Sequence, residues 1–395
     1  MSYVIKRLTI EGFKSIRKLE NFELRSLNVL IGANGTGKSN FVEFFHLLRE
    51  LIDQRLQLAV ATSGGPDACL YFGPKITSRF VAKVYFESYG YKFELVPTAD
   101  HRLVFEDEAM LPTFKHVQND VWDPLGSGHA ETKVKDRMGS SIEAQQLHRA
   151  VSSWVVYHFH DTSATAGVRR QGQINDNLHL RPDAENLAAF LYRMSRAEPD
   201  RYARIRDVVR LAAPFFDDFK LRAVPTNPEL IQLEWLQKGS DRPFLASQLS
   251  DGTLRFICLA TALIQPLFAF APTVLFDEPE LGLHPYALTL VANLFQQRAK
   301  ENTQVIVSTQ SAQLVNEFEP EDVIVVERTQ GESVFRRLDS GSLSGWLEDY
   351  SLGELWQKNV FGGGPRNETV PLPPASAEAS PSVPEAGQSA GDERS

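Results

Sequence analysis

Cysteine is scarce: Cys69 and Cys258 are the only two in 395 residues. They lie far apart and lack metal-ligand spacing, which argues against a disulfide framework or a zinc site and fits a reducing compartment. Positive charge is also short. Lys plus Arg total 41 against 50 Asp plus Glu, for a formal net charge of -9. A generally cationic nucleic-acid coat is therefore excluded, and any DNA contact must come from a local patch. Long apolar runs are missing as well. The longest, around Phe256 to Phe276, is interrupted by Gln265, Pro266 and Pro272 and cannot span a bilayer as a helix. The opening residues mix charges with apolar side chains and contain no apolar core, so no signal peptide is predicted and the cytoplasm is the expected compartment. No internal repeat is present, nor any heptad run long enough for an extended coiled coil. What remains, 43% hydrophobic and 23% charged residues, is the composition of a folded globular chain.

Leu27-Asn-Val-Leu-Ile31 reads as a buried strand of a sheet covered on both faces, and Leu8-Thr-Ile-Glu11 alternates as a strand. After Lys38 the period becomes helical, with Phe41, Phe44, Phe45, Leu48, Leu51 and Ile52 on one face. Residues 77–109 read as an antiparallel meander broken at Ser88-Tyr-Gly90 and Pro97-Thr-Ala-Asp100. Residues 111–141 are polar and aperiodic, which predicts a long loop. A strand is expected at 154–159, helices at about 184–196 and 200–211, and strands near 219–224 and 230–236. The last third alternates helix and strand: a helix after Gly252, a helix opened by Pro285, and strands at 273–276, 304–308 and 323–327. That pattern belongs to a parallel, helix-covered sheet. From Gly362 onward Pro, Ala, Ser and Glu dominate without a period, which predicts a disordered tail.

The strongest motif is Gly32-Ala-Asn-Gly-Thr-Gly-Lys38-Ser39, a complete G-x-x-x-x-G-K-S loop between a predicted strand and a predicted helix. Its glycines let the backbone wrap phosphates, with N–H groups and the helix start aimed at the anion. Asn34, Gly35, Thr36, Gly37, Lys38 and Ser39 form this cradle; Lys38 would reach the β- and γ-phosphates and the Ser39 hydroxyl would ligate Mg²⁺. The second motif is Thr273-Val-Leu-Phe-Asp277-Glu278-Pro279, an apolar strand ending in two carboxylates. Asp277 would hold Mg²⁺ opposite Ser39, and Glu278, facing another way, suits a general base for the attacking water. Between them, Leu249-Ser250-Asp251-Gly252-Thr253-Leu254-Arg255 offers an N-cap hydroxyl and a second anion-binding helix start. Taken alone, each of these last two is an ordinary strand-end turn or helix cap; the phosphate loop gives them meaning.

In order and spacing, four stretches resemble the ABC-type ATPases of the RecF and SMC group, most of all the stand-alone RecF-like bacterial ATPases with an AAA-type core domain. They are Gly12-Phe-Lys-Ser15, the phosphate loop, Leu-Ser-Asp-Gly-Thr-Leu-Arg-Phe256, and Phe276-Asp-Glu-Pro-Glu-Leu-Gly-Leu-His-Pro285. Asp183-Ala-Glu-Asn-Leu-Ala-Ala189 and Leu355-Trp-Gln-Lys add less specific support, and the likeness covers about 360 residues. The resemblance implies an α/β P-loop NTPase of the ABC/SMC-head type with an inserted antiparallel β lobe and helical lobe. On that reading, residues 1–60 and 241–361 form the two parts of the ATPase head, 61–240 the insert, and 362–395 the tail. It further implies ATP and Mg²⁺ as cofactors and a homodimer formed on ATP binding. Ser250, Gly252 and Thr253 of one copy would contact the γ-phosphate held by the other. Leu281-Gly-Leu283-His284 would line the seam, with Lys14 and Ser15 near the nucleotide.

The chain departs from the family pattern in places. Where many relatives carry a switch histidine, this sequence has Gln310 in Ser308-Thr-Gln-Ser311. Glutamine can orient a water but cannot become cationic. No glutamine is assigned as a metal sensor. About 210 residues separate Lys38 from Ser250, too few and too irregular for SMC-type arms.

The expected function is ATP hydrolysis coupled to dimer closure, serving DNA repair or recognition of DNA ends such as double-strand breaks. The alternative is a regulatory ATPase that controls an effector protein, for example a nuclease of a defence module. A transporter subunit is disfavoured by the large insert and the Ser-Asp-Gly-Thr signature. About 30 residues follow the expected fold, so no nuclease domain is expected in this chain.

Two further clusters have plainer readings. Arg193, Arg196, Arg201, Arg204, Arg206 and Arg210, interleaved with tyrosines, could meet phosphates and bases. Glu198, Asp200 and Asp207 among them favour a solvated helix face. His158, His160 and Asp161 lack a fourth ligand and read as polar groups at a strand end.

Overall fold

The architecture rests on a strand set whose alternate residues feed two different cores. In the computed structural model, which describes residues 3–112, 121–266 and 273–364, β3 (Leu27–Ile31) lies inside a six-stranded sheet. Val323–Thr329 pairs parallel to one side of β3 and Gln304–Thr309 to the other. Thr273–Asp277 follows, then β8 (Val155–Tyr157) at the edge, both parallel. Glu332–Arg337 closes the opposite edge as an antiparallel hairpin with Val323–Thr329. Val29, Ile31, Val305, Val307, Val274, Phe276, Val323 and Val325 pack into one core. Their neighbours Leu30, Ile306, Leu275, Ile324 and Val326 pack into the other. Side chains of successive strand residues point to opposite faces, so a sheet covered on both sides needs the uninterrupted apolar runs seen in the sequence.

The first face carries the helices Asp251–Ile264 and Pro285–Lys300, with Leu187–Ala197 and Pro199–Ala212 packed beside them. The second face carries α1 (Lys38–Ile52). Phe41, Phe44 and Phe45 of α1 are fully buried. They pack edge-on or tilted against Phe335, Phe13 and Trp154. Full burial of such a side chain contributes about 1.5–3 kcal/mol, so α1 is held like a bolt between the parallel sheet and a second sheet above it.

That second sheet is antiparallel, in the order β2 (Ile16–Glu23), β1 (Arg7–Phe13), β4 (Phe80–Tyr85), β5 (Gly90–Pro97), β6 (Leu103–Leu111) and β7 (Asp123–Gly126). The expected meander is there as β4 to β6. β1 pairs with β4 and draws the N-terminal hairpin into the same sheet. Likewise β8, from the middle of the stretch expected to be inserted, completes the parallel sheet.

The long loop expected at 111–141 is corrected in the part described. β7 pairs with β6, and Val134–Arg137 is a short helix before the helix Ile142–Ser152. A buried carboxylate organises this polar stretch in place of an apolar period. Glu108 accepts from Tyr91 Oη (2.6 Å), the Lys133 N–H (3.1 Å) and the Thr132 hydroxyl, and pairs with His129 Nε2 (2.8 Å). The helix expected at 184–196 begins three residues later, at Leu187, because Ala184 has φ +59. Asn186 spends its amide on the preceding loop, donating to Asp176 O and His179 O and accepting from Arg181 N.

Of the disordered tail expected from Gly362, the first residues are ordered in the fold. Gly362 and Gly363 are buried and Gly363 is hydrogen-bonded to Ala33; residues 365–395 lie outside those described. No described helix is long and apolar enough to cross a membrane.

Candidate nucleotide site

The loop 32–39 leaves the C-terminal end of β3 and enters α1, at the edge of the sheet where α/β folds bind ligands. Gly35 (φ +78) and Gly37 (φ +104) take backbone conformations that disfavour a side chain. Gly37 also has no room for one: a Cβ there would strike the hydroxyls of Ser333 and Ser15. Those hydroxyls bond each other (2.6 Å), Ser333 Oγ donates to Thr36 O (2.6 Å), and Asn40 Nδ2 donates to Ser15 Oγ (2.6 Å). Ser15 thus stands against the loop, while Lys14 pairs with Glu43.

Lys38 is 5% exposed, and its ammonium donates to Gly32 O (2.7 Å) and Ala33 O (3.0 Å). Burial lowers its pKa, against the pull of Glu278, Asp277 and Glu280, which favour the charged form. Ser39, next in the chain, and Asn34 and Gly35 at the tip of the loop are exposed, whereas Thr36 is buried.

Parallel pairing sets Asp277 beside Ser308 and Thr309 beside Ile31, so all three strands end together under the loop. Asp277 Oδ1, Ser308 Oγ and Glu280 Oε2 are buried without a hydrogen-bond partner. Buried polar oxygens seldom stay unpaired. Unpaired oxygens led by the Asp277 carboxylate are the donor type that a hard cation such as Mg²⁺ takes.

Glu278 does not continue the strand. It has φ +46, its N–H donates to Ser308 O (2.8 Å), and its carboxylate accepts from the Gln310 side-chain amide. The N–H of Gln310 donates to Glu280 Oε1 (2.7 Å). Glu280 is held above the usual carboxylate range by burial. Gln310 therefore ties two carboxylates together, one through its side chain and one through its backbone.

Ser250 caps the helix Asp251–Ile264 by accepting from Thr253 N (3.2 Å), and its hydroxyl also bonds Thr253 Oγ1 (2.9 Å). Gly252 packs on the Gly282 carbonyl, leaving no space for a Cβ. The hydrogen bonds of the Ser250 and Thr253 side chains stay within this helix start.

Arg255 braces the region. It is 7% exposed and donates to Phe159 O (2.7 Å), His160 O (3.0 Å) and Leu281 O. His160 Nε2 lies 3.0 Å from Asp277 O, and burial lowers the His158 pKa against the pull of Asp277. Among the described residues no His, Cys, Asp or Glu group has the arrangement of a metal cluster.

The arginines of the helical pair are largely committed. Arg201 donates to Ile264 O (2.9 Å), Arg204 to Gln297, and Arg210 to Asp217 (2.9 Å), while Arg206 pairs with Asp207 (3.1 Å). Arg196 lies over the Tyr192 ring at 4.1 Å.

Arg255, Glu280 and Ser333 join the site without having been expected there. Arg255 and Glu280 stand inside the signature and Asp-Glu motifs, whereas Ser333, 297 residues beyond Thr36, carries no local signal.

A phosphate loop leaving an inner strand of a parallel sheet, with Asp277 closing the next strand but one, is the arrangement of a P-loop ATPase. The family model described as "AAA domain, putative AbiEii toxin, Type IV TA system" matches residues 27–316, and the chain belongs to that family. Solved structures agree on the fold. A Smc head bound to the C-winged helix domain of ScpA aligns over 86% of this chain and 99% of its own, with TM-score 0.55 and 16% identity. A Smc head domain with an extended coiled coil, bound to the C-terminal domain of ScpA derived from Pyrococcus furiosus, covers 87% and 98%, with TM-score 0.52 and 15% identity. No curated protein sequence matches the chain.

Proposed function

We propose that this chain hydrolyses ATP between two copies of itself. The observation that carries the reading is the meeting of Lys38, Asp277, Glu278 and Gln310 at one sheet end, with Asp277 Oδ1 buried and unpaired. Lys38 would leave the Gly32 and Ala33 carbonyls for the β- and γ-phosphates, and the N–H groups of 34–39 would wrap them. Ser39 and Asp277 would hold Mg²⁺, which when bound neutralises charge on the phosphate oxygens. Glu278 would accept the proton of the attacking water, and Gln310 would orient Glu278 and that water. Ser250, Gly252 and Thr253, whose bonds stay at their own helix start, would complete the partner copy's site, with 281–284 along the seam.

For the biological role we propose DNA repair or DNA-end recognition, on the strength of the RecF/SMC resemblance. A regulatory ATPase acting on an effector protein is the second reading, favoured by the toxin–antitoxin description of the matching family. Stimulation of ATP turnover by DNA ends supports the first and not the second.

The test of closure uses Glu278→Gln, which keeps shape and removes the base. With ATP and Mg²⁺ it should accumulate dimer in light scattering, and adding Ser250→Arg should return it to monomer. Equal masses for the two proteins would refute closure in trans.

A further inference from the structure

We infer that residues 359–364 form a strap that positions the phosphate loop through Ala33, making Gly363 a positioning residue for nucleotide binding. The inference rests on the reading of 32–39 as an ATP site, and goes beyond it by adding a segment more than 300 residues away in the chain.

Ala33 is the hub of the resting loop. Its carbonyl accepts from the Thr36 N–H (3.4 Å), Thr36 Oγ1 (3.0 Å) and Lys38 Nζ (3.0 Å). Its own N–H donates to Gly363 O at 2.8 Å. When Lys38 turns to a phosphate it releases the Gly32 and Ala33 carbonyls. The bond to Gly363 is one that nucleotide binding does not consume, so it keeps the root of the loop in place.

The strap is built for this position. Asn359 has φ +55, and its side chain accepts from the Gly364 N–H (3.1 Å), closing the segment on itself. Phe361 is 6% exposed, and its carbonyl accepts from Arg336 on the strand Glu332–Arg337. Gly362 (φ +84) and Gly363 (φ +80) are buried in the left-handed region. A Cβ on Gly363 would sit 2.9 Å from Val325 Cγ1 and 3.1 Å from Trp356 Nε1, and one on Gly362 would strike the Glu327 carboxylate. Val325 and Glu327 belong to the strand beside β3, and Gly32 packs on the Val326 carbonyl of that strand with no room for a side chain. The loop root is therefore gripped from the strand on one side and from the strap on the other. Glycine is required twice in succession because the backbone must turn with positive φ while lying flat on that strand.

The experiment compares full-length Gly363→Ala, Arg336→Ala, Lys38→Ala and the control Gly345→Ala, whose added methyl meets nothing within 4 Å. ATP affinity is read by calorimetry, turnover at saturating ATP by phosphate release, and folding by nucleotide-free melting. Amide exchange over 359–364 is followed with and without ATP. Gly363→Ala should weaken ATP affinity roughly five- to tenfold, the worth of one backbone hydrogen bond, with turnover at saturation near that of the parent. Arg336→Ala, which loosens the strap without touching a glycine, should shift affinity the same way and decides the matter if Gly363→Ala does not fold. Coupling between sites is reciprocal, so ATP should slow exchange across 359–364 in the parent, an effect that mere packing of this segment would not produce. Folded Gly363→Ala and Arg336→Ala that bind ATP within twofold of the parent, or exchange indifferent to ATP, would overturn the inference. If Lys38→Ala still loses ATP in that case, the ATP site stands and only the strap falls.

Discussion

Replacing Lys38 by alanine should abolish most ATP binding while leaving the empty protein nearly as stable as before. In the resting loop the ammonium is 5% exposed and makes two bonds, to Gly32 O and Ala33 O. Hydrogen bonds from a charged donor contribute about 1.5–3 kcal/mol each. Against them stands the cost of burying an ammonium, several kcal/mol after relaxation, which is the cause of its lowered pKa. The two nearly cancel, and Ala33 O keeps its bond from Thr36 Oγ1. The empty variant should therefore lie within about 1.5 kcal/mol of the parent. With ATP the balance changes, because the phosphates present full charges to a preorganised site. Losing one partner of such a pair costs about 2–5 kcal/mol, or roughly 30- to 4,000-fold in affinity. Thermal melting reads both halves at once. At ATP a thousandfold above its Kd the parent gains about 4 kcal/mol. A variant weakened a thousandfold gains only about 0.4 kcal/mol at the same concentration. A folded Lys38→Ala protein that binds ATP within threefold of the parent by calorimetry would refute the assignment of the loop.

Gln310→Ala removes the amide that holds Glu278. It should slow turnover by about tenfold or more, with the 10²–10³ span for losing one transition-state contact as the ceiling, and ATP affinity near that of the parent; Gln310→His should raise turnover modestly. Unchanged turnover in Gln310→Ala would mark the residue as a strand-end polar group. Reversing charge at Arg201, Arg204 and Arg206 should lower the melting temperature, since Arg201 and Arg206 are tied to Ile264 O and to Asp207 and Asp218. The salt slope of any DNA binding should not change, and a flattened slope would return these residues to a DNA surface. Glu280→Gln should stabilise the nucleotide- and magnesium-free protein at neutral pH. Burial raises the folded-state pKa of Glu280 above its ordinary 4.5, so the folded state binds the extra proton and stability falls as pH rises through that window. Melting curves from pH 4.5 to 7 should be flatter in the variant, and parallel curves would contradict the assignment.

Local chemistry made much of the site legible in the chain. The phosphate loop announces itself because glycine spacing, the lysine and the strand-to-helix change all fall within eight residues. Ser250 as an N-cap and Pro285 in a first turn were readable for the same reason: each acts on backbone groups within three residues. The orientation of Glu278 was only half readable. Strand alternation predicts that it faces away from Asp277, but its positive φ and its bond to Gln310 depend on a strand some 30 residues on.

The sequence by itself determined the first helix and the helices and strands of the last third, that the main sheet is largely parallel and covered on both faces, and which loop has the glycine and lysine spacing of a phosphate cradle. Those properties follow from periodicity and from residues acting on near neighbours. Tertiary structure alone decided that β1 joins β4, that β8 completes the parallel sheet, and that a polar stretch is organised around Glu108. It alone placed Arg255 across three segments and Gly363 against Ala33. Each of these is a pairing of backbone or buried polar groups distant in sequence. The partners there are chosen by the geometry of the assembled sheets, and such a choice leaves no period or motif in the chain.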